Sequence, residues 1–306
     1  MSLPIVVLAA GLSTRYGRLK QLERFGPGGE AIMDYNVFDA LNAGFDEVVY
    51  VVRSEILEDV RDHVRSVFGE DLPARFVLQE LGDLPAGFSA PPDRRKPWGT
   101  AHAVLSAAEG LEGPLVVCNA DDLYGPVAFQ RLRDYLVQDP VPTDAVLIGY
   151  PLRDTLAGGG GVARGLCHIG RDGLLEHVIE IRDVRRTEAW IVGVEGEGYP
   201  MDLSGDELVS MNLWGFTSAM VAGIRRQFTS FLGLWGAHPG QEFFLSSAVN
   251  GHIQTYGARV KVLGSEDSWL GITYAEDRKH FQDMLRSRIE SGVYPPNLAD
   301  VLSERV

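Results

Sequence analysis

Through its first 150 residues the chain alternates short β-branched runs with amphipathic stretches, and this alternation restricts the fold more than any other feature. Ile5–Leu8 is wholly apolar, as a strand buried on both faces must be. A helical pattern over Asp34–Ala43 ends at Gly44, a residue suited to a left-handed cap. Glu47–Val52 reads as a second strand, and a charged helix runs from Ser54 to about Phe68. Arg75–Leu78 reads as a third strand, Thr100–Glu109 as a helix, Leu115–Cys118 as a fourth strand and Ala145–Tyr150 as another. Strands separated by crossover helices imply an α/β protein with a parallel sheet. From about Pro151 longer strands and glycine-rich turns take over, including Gly158–Gly161, so the sheet is expected to become mixed. Gln241–Asn250 and Glu276–Gly292 read as helices.

Charge narrows the function. Lys plus Arg is 28 against 42 for Asp plus Glu, a net charge of −14. Binding to a nucleic-acid backbone or an anionic membrane needs a broad basic face, so neither partner is expected. An acidic protein that binds phosphates must gather cations locally or recruit a metal ion. No apolar run approaches the ~20 residues that span a bilayer. The opening Met1-Ser2-Leu3-Pro4 shows no charged region before a cleavable apolar stretch, and Cys118 and Cys167 lack metal-type spacing. A cytoplasmic location with two buried, unpaired thiols is expected.

Two segments could hold chemistry. The first strand runs into Leu8-Ala9-Ala10-Gly11, followed by Arg15 and Lys20. Glycine at a strand's carboxyl end lets backbone N–H groups face an anion, with the cations beside them. The spacing fits neither GxxxxGK[ST], since Arg18 follows Gly17, nor the dinucleotide GxGxxG. An ordinary strand-to-loop turn with solvated basic residues remains open on these residues alone. The second segment, Asn119-Ala120-Asp121-Asp122, sets carboxylates at the carboxyl end of an apolar strand. Open α/β sheets bind ligands there, and hard oxygens suit Mg²⁺. Asp122 could instead cap the following helix. The proline-rich stretch Asp83–Pro97 marks a long irregular loop.

Together these segments resemble the sugar-1-phosphate nucleotidyltransferase family, the NDP-sugar pyrophosphorylases of the nucleotidyltransferase superfamily. LAAGLSTRYGRLKQL is similar to the signature loop, and KPWGTAHAV, NADDLYG, SMNLWGF, EFFLSSAVN and WLGITYAEDR follow in the family's order across nearly the whole chain. The resemblance implies a Rossmann-like three-layer nucleotide-diphospho-sugar transferase fold with a mixed, mainly parallel sheet. It implies one domain over 1–306, with a nucleotide-binding half at 1–150, a sugar-phosphate-binding half at 151–277, and a C-terminal helix and tail at 278–306. Implied substrates are a nucleoside triphosphate and a sugar 1-phosphate, with Mg²⁺ as cofactor.

By the same resemblance Leu8, Ala9, Ala10 and Gly11 cradle the triphosphate while Arg15 and Lys20 serve catalysis by neutralising the leaving pyrophosphate. Gln79, Gly99, Thr100 and Ala101 match base-recognition positions. Asp121 matches the metal-binding aspartate, and Asp277 lies where relatives carry a second acid, or else starts a helix. Asn119, Glu180 and Asn212 match sugar-phosphate contacts. The chain has Glu180-Ile181-Arg182 where many relatives have Glu-Lys, which leaves Arg182 and Arg164 as candidate substitutes for the absent cation. Gln79, with a donor and an acceptor on one amide, also suits the imide edge of uracil or thymine, which points to a pyrimidine triphosphate. Trp98, Trp214 and Trp269 read as packing residues, and no histidine takes a catalytic role. Two other readings stay open: transfer to a different phosphorylated acceptor, such as a phosphoalcohol or cofactor precursor, and a non-catalytic nucleotide-sugar-binding regulator.

Overall fold

A computed structural model describes residues 2–11, 20–138, 140–156, 160–188, 190–196, 198–272 and 277–302. The first half contains β1 (Pro4–Leu8), α1 (Ile32–Ala43), β2 (Glu47–Val52), α2 (Leu57–Phe68), β3 (Ala74–Leu78), α3 (Thr100–Ala107), β4 (Leu115–Asn119), the short β5 (Asp122–Leu123), α4 (Pro126–Leu136) and β6 (Ala145–Pro151). The second contains β7 (Val162–Ile169), β8 (Leu175–Arg186), β9 (Ile191–Glu195), β10 (Tyr199–Leu203), β11 (Leu208–Phe216), α5 (Ser218–Trp235), α6 (Leu245–Tyr256), β12 (Val260–Gly264), β13 (Leu270–Gly271), α7 (Asp277–Glu290) and α8 (Leu298–Leu302).

One eleven-stranded sheet joins the two halves, in the order β10-β9-β8-β7-β11-β4-β1-β2-β3, with β6 on β11 and β12 on β6. Pairing is parallel among β3, β2, β1 and β4 and between β6 and β12. From β4 through β11 to β10 it is antiparallel. The sheet is mixed as expected, with a larger antiparallel share than the sequence suggests.

Helices cover both faces, which gives three layers. The α1, α2, α4, α7 and α8 residues pack with Ile5, Val7, Val48 and Val116 on one side. Residues of α3, α5 and α6 pack with Val6, Val49, Val117 and Trp214 on the other. This double cover is why β1 is apolar at every position. Gly44 closes α1 at φ 97°, donating to Ala40 O and Leu41 O. Cys118 and Cys167 are both buried and unpaired, and burial pushes the Cys167 thiol up to about 12. Trp98, Trp214 and Trp269 are buried. No helix among the described residues is long and apolar enough to cross a membrane.

Two elements depart from the sequence pattern. Helix α5 carries Gly223, Gly233 and β-branched residues, all poor helix formers, so its pattern does not announce a helix. Packing imposes it: a Cβ on Gly223 would lie 2.2 Å from the His252 ring of α6. Helix α6 begins at Leu245 rather than Gln241, which leaves 241–244 outside the helix.

The final segment is fastened to α1 by a buried acid. Tyr294 Oη donates to Asp39 Oδ2 at 2.8 Å, and burial raises the Asp39 carboxyl well above its ordinary 3.8. Below pH 3.8 the group is protonated both folded and unfolded. As pH climbs toward the folded value, only the unfolded carboxyl ionises, so the protein loses stability through that window. Asp39→Asn stays neutral and still accepts from Tyr294. Its melting temperature, compared with wild type at pH 4 and pH 8, is expected to gain on wild type at the higher pH, and an equal difference at both would reject this assignment.

Candidate functional site

The carboxyl ends of β1 and β4 lie side by side, with Leu8 opposite Asn119. Beyond them opens a cavity of about 480 Å³, within the range that holds a small-molecule ligand. Leu8, Ala10 and Gly11 form its floor, and Asn119 and Asp121 one flank. Gln79, Gly99 and Thr100 form another, closed by Lys96, Glu242 and Phe244. Of the sequence-derived candidates, Leu8, Ala10, Gly11, Gln79, Gly99, Thr100, Asn119 and Asp121 are thus brought together. Ala9 and Ala101 are fully buried behind them. Arg15 and the Lys20 side chain lie outside the described residues, as do the Gly158–Gly159 part of the second glycine run and residues 273–276 just before Asp277. Gln21, near the end of that signature loop, donates its amide to Ala9 O at 3.3 Å and Gly11 O at 2.8 Å, pinning the strand end.

Asparagines and one tyrosine shape the acid flank. Asn119 Nδ2 donates to Asp122 Oδ2 at 2.7 Å, and Tyr124 Oη reaches the same oxygen at 3.4 Å. Asn212 Nδ2 donates to Asn119 Oδ1 at 2.7 Å, while Trp214 Nε1 donates to Asn212 Oδ1 at 3.1 Å. Asp122 is therefore a member of a side-chain network and pairs across to Gly271 in β13; the following helix, α4, has Gly125 at its N-cap. Asp121 faces the cavity.

Asn212 sits where β11 breaks register between Ser210 and Trp214, at φ 64°. That bulge lets one strand serve β7 through Val209–Ser210 and β4 through Trp214–Phe216. Asparagine tolerates the left-handed backbone better than most residues. Asn212→Ala keeps the strained φ and orphans the fully buried Trp214 N–H, at about 1–3 kcal/mol for the lost partner. Asn212→Gly loses the same bond without the strain. In urea melts the alanine variant is expected to be the weaker of the two, and the reverse order would show that the backbone is not what demands asparagine.

Glu180 lies outside the cavity. Register aligns it with Gly165 and Ser210, which places it exposed on the face that also carries Asn119 and Asn212. Of the two candidate replacement cations, Arg164 is engaged within the protein. Arg164 is 9% exposed; it donates to Thr155 O, Thr155 Oγ1 and Ala163 O and lies 5.1 Å over the Trp269 ring. Burial lowers its basicity, while the Asp122 and Asp277 carboxylates oppose that shift. Arg182 is exposed and donates to Gly196 O. Asp277 is the first described residue of α7.

The turn at 99–101 packs against the segment that precedes α6. Gly99 has φ 110°, and a Cβ there would lie 2.5–2.8 Å from the Phe243 backbone. Its close approach is to protein backbone. Phe243 N donates to Trp98 O at 2.6 Å, Ala101 N to Phe243 O at 3.1 Å, and Leu245 N to Thr100 Oγ1 at 2.9 Å. Gln79 Nε2 donates to Gly99 O at 2.9 Å and meets His102 Nδ1 at 3.2 Å, while His102 Nε2 reaches Asp83 O at 2.9 Å. Burial lowers the His102 basicity, so the imidazole takes the Gln79 hydrogen on one nitrogen and donates from the other. Both amide hydrogens of Gln79 are spent within the protein, which removes the donor half of an imide-reading amide. The proline-rich loop is also built in: Arg94, 1% exposed, stacks 3.6 Å over Trp98 and donates to Pro97 O, His238 O and Gln241 O.

Sequence reasoning missed Lys96, Glu242 and Phe244 as site residues. Ahead of α6, Phe243 packs in the core while Glu242 and Phe244 line the cavity; drawing a helix from Gln241 hides that alternation.

The fold and this cavity define an α/β domain with a ligand-sized site at the carboxyl ends of its parallel strands. Residues 5–152 match the family described as MobA-like NTP transferase domain. Solved structures agree in fold. The inositol-1-phosphate CTP transferase from T. maritima superposes with a TM-score of 0.62 at 14% identity, over 94% of this chain and 96% of that one. HddC from Yersinia pseudotuberculosis gives 0.56 at 13% identity, over 92% and 99%, and its complex with GMP-PN gives 0.55 at the same identity and coverage. No curated protein matches the sequence.

Proposed function

We propose that this protein transfers a nucleotidyl group from a nucleoside triphosphate to a phosphorylated sugar or sugar-like polyol, most simply a sugar 1-phosphate, and releases pyrophosphate. The observation that carries this reading is one cavity shared by the Ala10–Gly11 strand end and by Asn119 and Asp121 at the end of β4. A strand-to-loop glycine suits the phosphates, and a carboxylate faces the point where their charge collects. The domain family and the fold neighbours support the same class of chemistry.

The acceptor's phosphate oxygen is already a nucleophile. It attacks the α-phosphorus in line; the new oxygen–phosphorus bond forms as the α–β bridge breaks, and the electron pair leaves with pyrophosphate. No general base is needed, so the chain contributes position and charge. Gly11 and Ala10 hold the triphosphate, with Arg15 and Lys20 assigned to the leaving group. Asn119 is fixed between Asp122 and Asn212 and orients the acceptor, with Glu180 farther along the same face.

Asp121 suits Mg²⁺, which binds through one or two carboxylates and completes its shell with phosphate oxygens. Among the described residues no cluster of three or more His, Cys, Asp or Glu forms a protein-only cage, in keeping with a metal that arrives with the nucleotide. Asp121 and Asp277 are the residues proposed to hold it, and when bound it would neutralise developing phosphate charge. The acceptor need not be an aldose phosphate: with no lysine after Glu180, and Arg164 held by Thr155, a cyclitol or other polyol phosphate is an equal candidate. A screen of four nucleoside triphosphates against sugar 1-phosphates, cyclitol phosphates and phosphoalcohols, with divalent cation and pyrophosphate release as readout, tests the proposal. No release with any pair would overturn it.

A further inference from the structure

Resting on the reading that this cavity takes a nucleoside triphosphate, we infer that Lys96, Glu242 and Phe244 form the base-selecting wall of the site. Gln79 acts there as a support. Lys96 Nζ lies 3.6 Å from Glu242 Oε2, with side chains 57% and 26% exposed. An ammonium donor and a carboxylate acceptor thus stand side by side on the cavity wall. Nucleobases present the complementary pattern, an N–H donor beside a ring nitrogen or carbonyl acceptor. Phe244 supplies an aromatic face next to this pair and is 45% exposed, which leaves its ring open to stacking by a planar base.

The pair is preorganised. Glu242 and Phe244 flank Phe243, whose backbone is fixed on both sides by Trp98 O and Ala101 N, and the chain just before it is held by Arg94 at Gln241 O. The 99–101 turn and Gln79 therefore serve base recognition at one remove, by holding the segment that presents Glu242 and Phe244. Lys96 is the one cation among the described residues that line the cavity. That would also let it grip a phosphate, so the test must separate the two roles.

Dissociation constants of ATP, GTP, CTP and UTP, and of their deoxy forms, are measured by calorimetry for wild type and for Glu242→Gln, Lys96→Met and Phe244→Ala. All three side chains are partly exposed, so folding, followed by thermal melts, should hold. Wild type is expected to prefer one base about tenfold or more, and both Glu242→Gln and Lys96→Met to compress or reorder that ranking. Phe244→Ala should weaken all four triphosphates by about 5- to 100-fold and leave their order intact. A ranking unchanged in both charge variants, an effect confined to ribose against deoxyribose, equal affinity of wild type for all bases, or a Lys96→Met defect confined to acceptor KM would each overturn the assignment. Absence of any triphosphate binding by wild type would overturn the nucleotidyl-transfer reading itself, a result distinct from binding with an unaltered base order.

Discussion

Asp121→Asn is expected to lower nucleotidyl transfer by about 100- to 1,000-fold, the scale of removing one charge-stabilising group from a phosphoryl or acyl transition state. Asp121 faces the cavity at the end of β4, and asparagine keeps its shape while removing the negative charge that a divalent cation requires. Asp122→Asn should cost less, roughly tenfold. Its carboxylate accepts from Asn119 Nδ2, and an amide in that place can still present an oxygen. Asp277→Asn is expected to fall between them, since Asp277 lies in α7 and shares the field at Arg164 with Asp122. Initial rates of pyrophosphate release across a Mg²⁺ titration, with Mn²⁺ binding to each apo variant as a second readout, order the three. An Asp121→Asn protein with wild-type metal dependence would remove Asp121 from the metal assignment.

What the sequence showed clearly was the material near β1 and β4. Apolar runs with glycine stops give strand ends to within a residue or two, because burial on both faces leaves them no other composition. Placement at a strand end made the acids legible as candidates, while the roles of Asp121 and Asn119 rest on the resemblance; both line the cavity. Asn212 was legible only as a residue in a resembling motif; the bulge that requires its φ arises from one strand serving β4, β6 and β7 at once, which no local pattern encodes. Arg164 illustrates the opposite failure. Its charge suggested a phosphate hand, yet Thr155, itself fully buried, takes the guanidinium. Glu242 and Phe244 were hidden because their orientation depends on Gly99, 143 positions earlier than Glu242. Contacts of that range are set by topology.

Gly99→Ala carries the second large effect, and it separates a packing role from a ligand-facing one. A side chain at φ 110° is strained before any contact is counted, at about 1–3 kcal/mol. The new methyl would also lie 2.5 Å from Phe243 O and 2.8 Å from Phe243 C and N. These are backbone atoms, so no rotamer can move aside. Relief means breaking some of the bonds that hold this junction: Phe243 N to Trp98 O, Ala101 N to Phe243 O, Leu245 N to Thr100 Oγ1 and Gln79 Nε2 to Gly99 O. Strain and overpacking together are expected to cost about 3–5 kcal/mol. Gly82→Ala, in the same connection, meets nothing within 4 Å and should change stability by less than about 1 kcal/mol. In urea melts Gly99→Ala is expected to shift the midpoint well below both wild type and Gly82→Ala. Folded Gly99→Ala, held below its new midpoint, should also lose triphosphate affinity, because the shift carries Glu242 and Phe244 with it. If the variant instead melts like wild type and loses only nucleotide binding, the glycine is there for the base and the buttress reading is wrong.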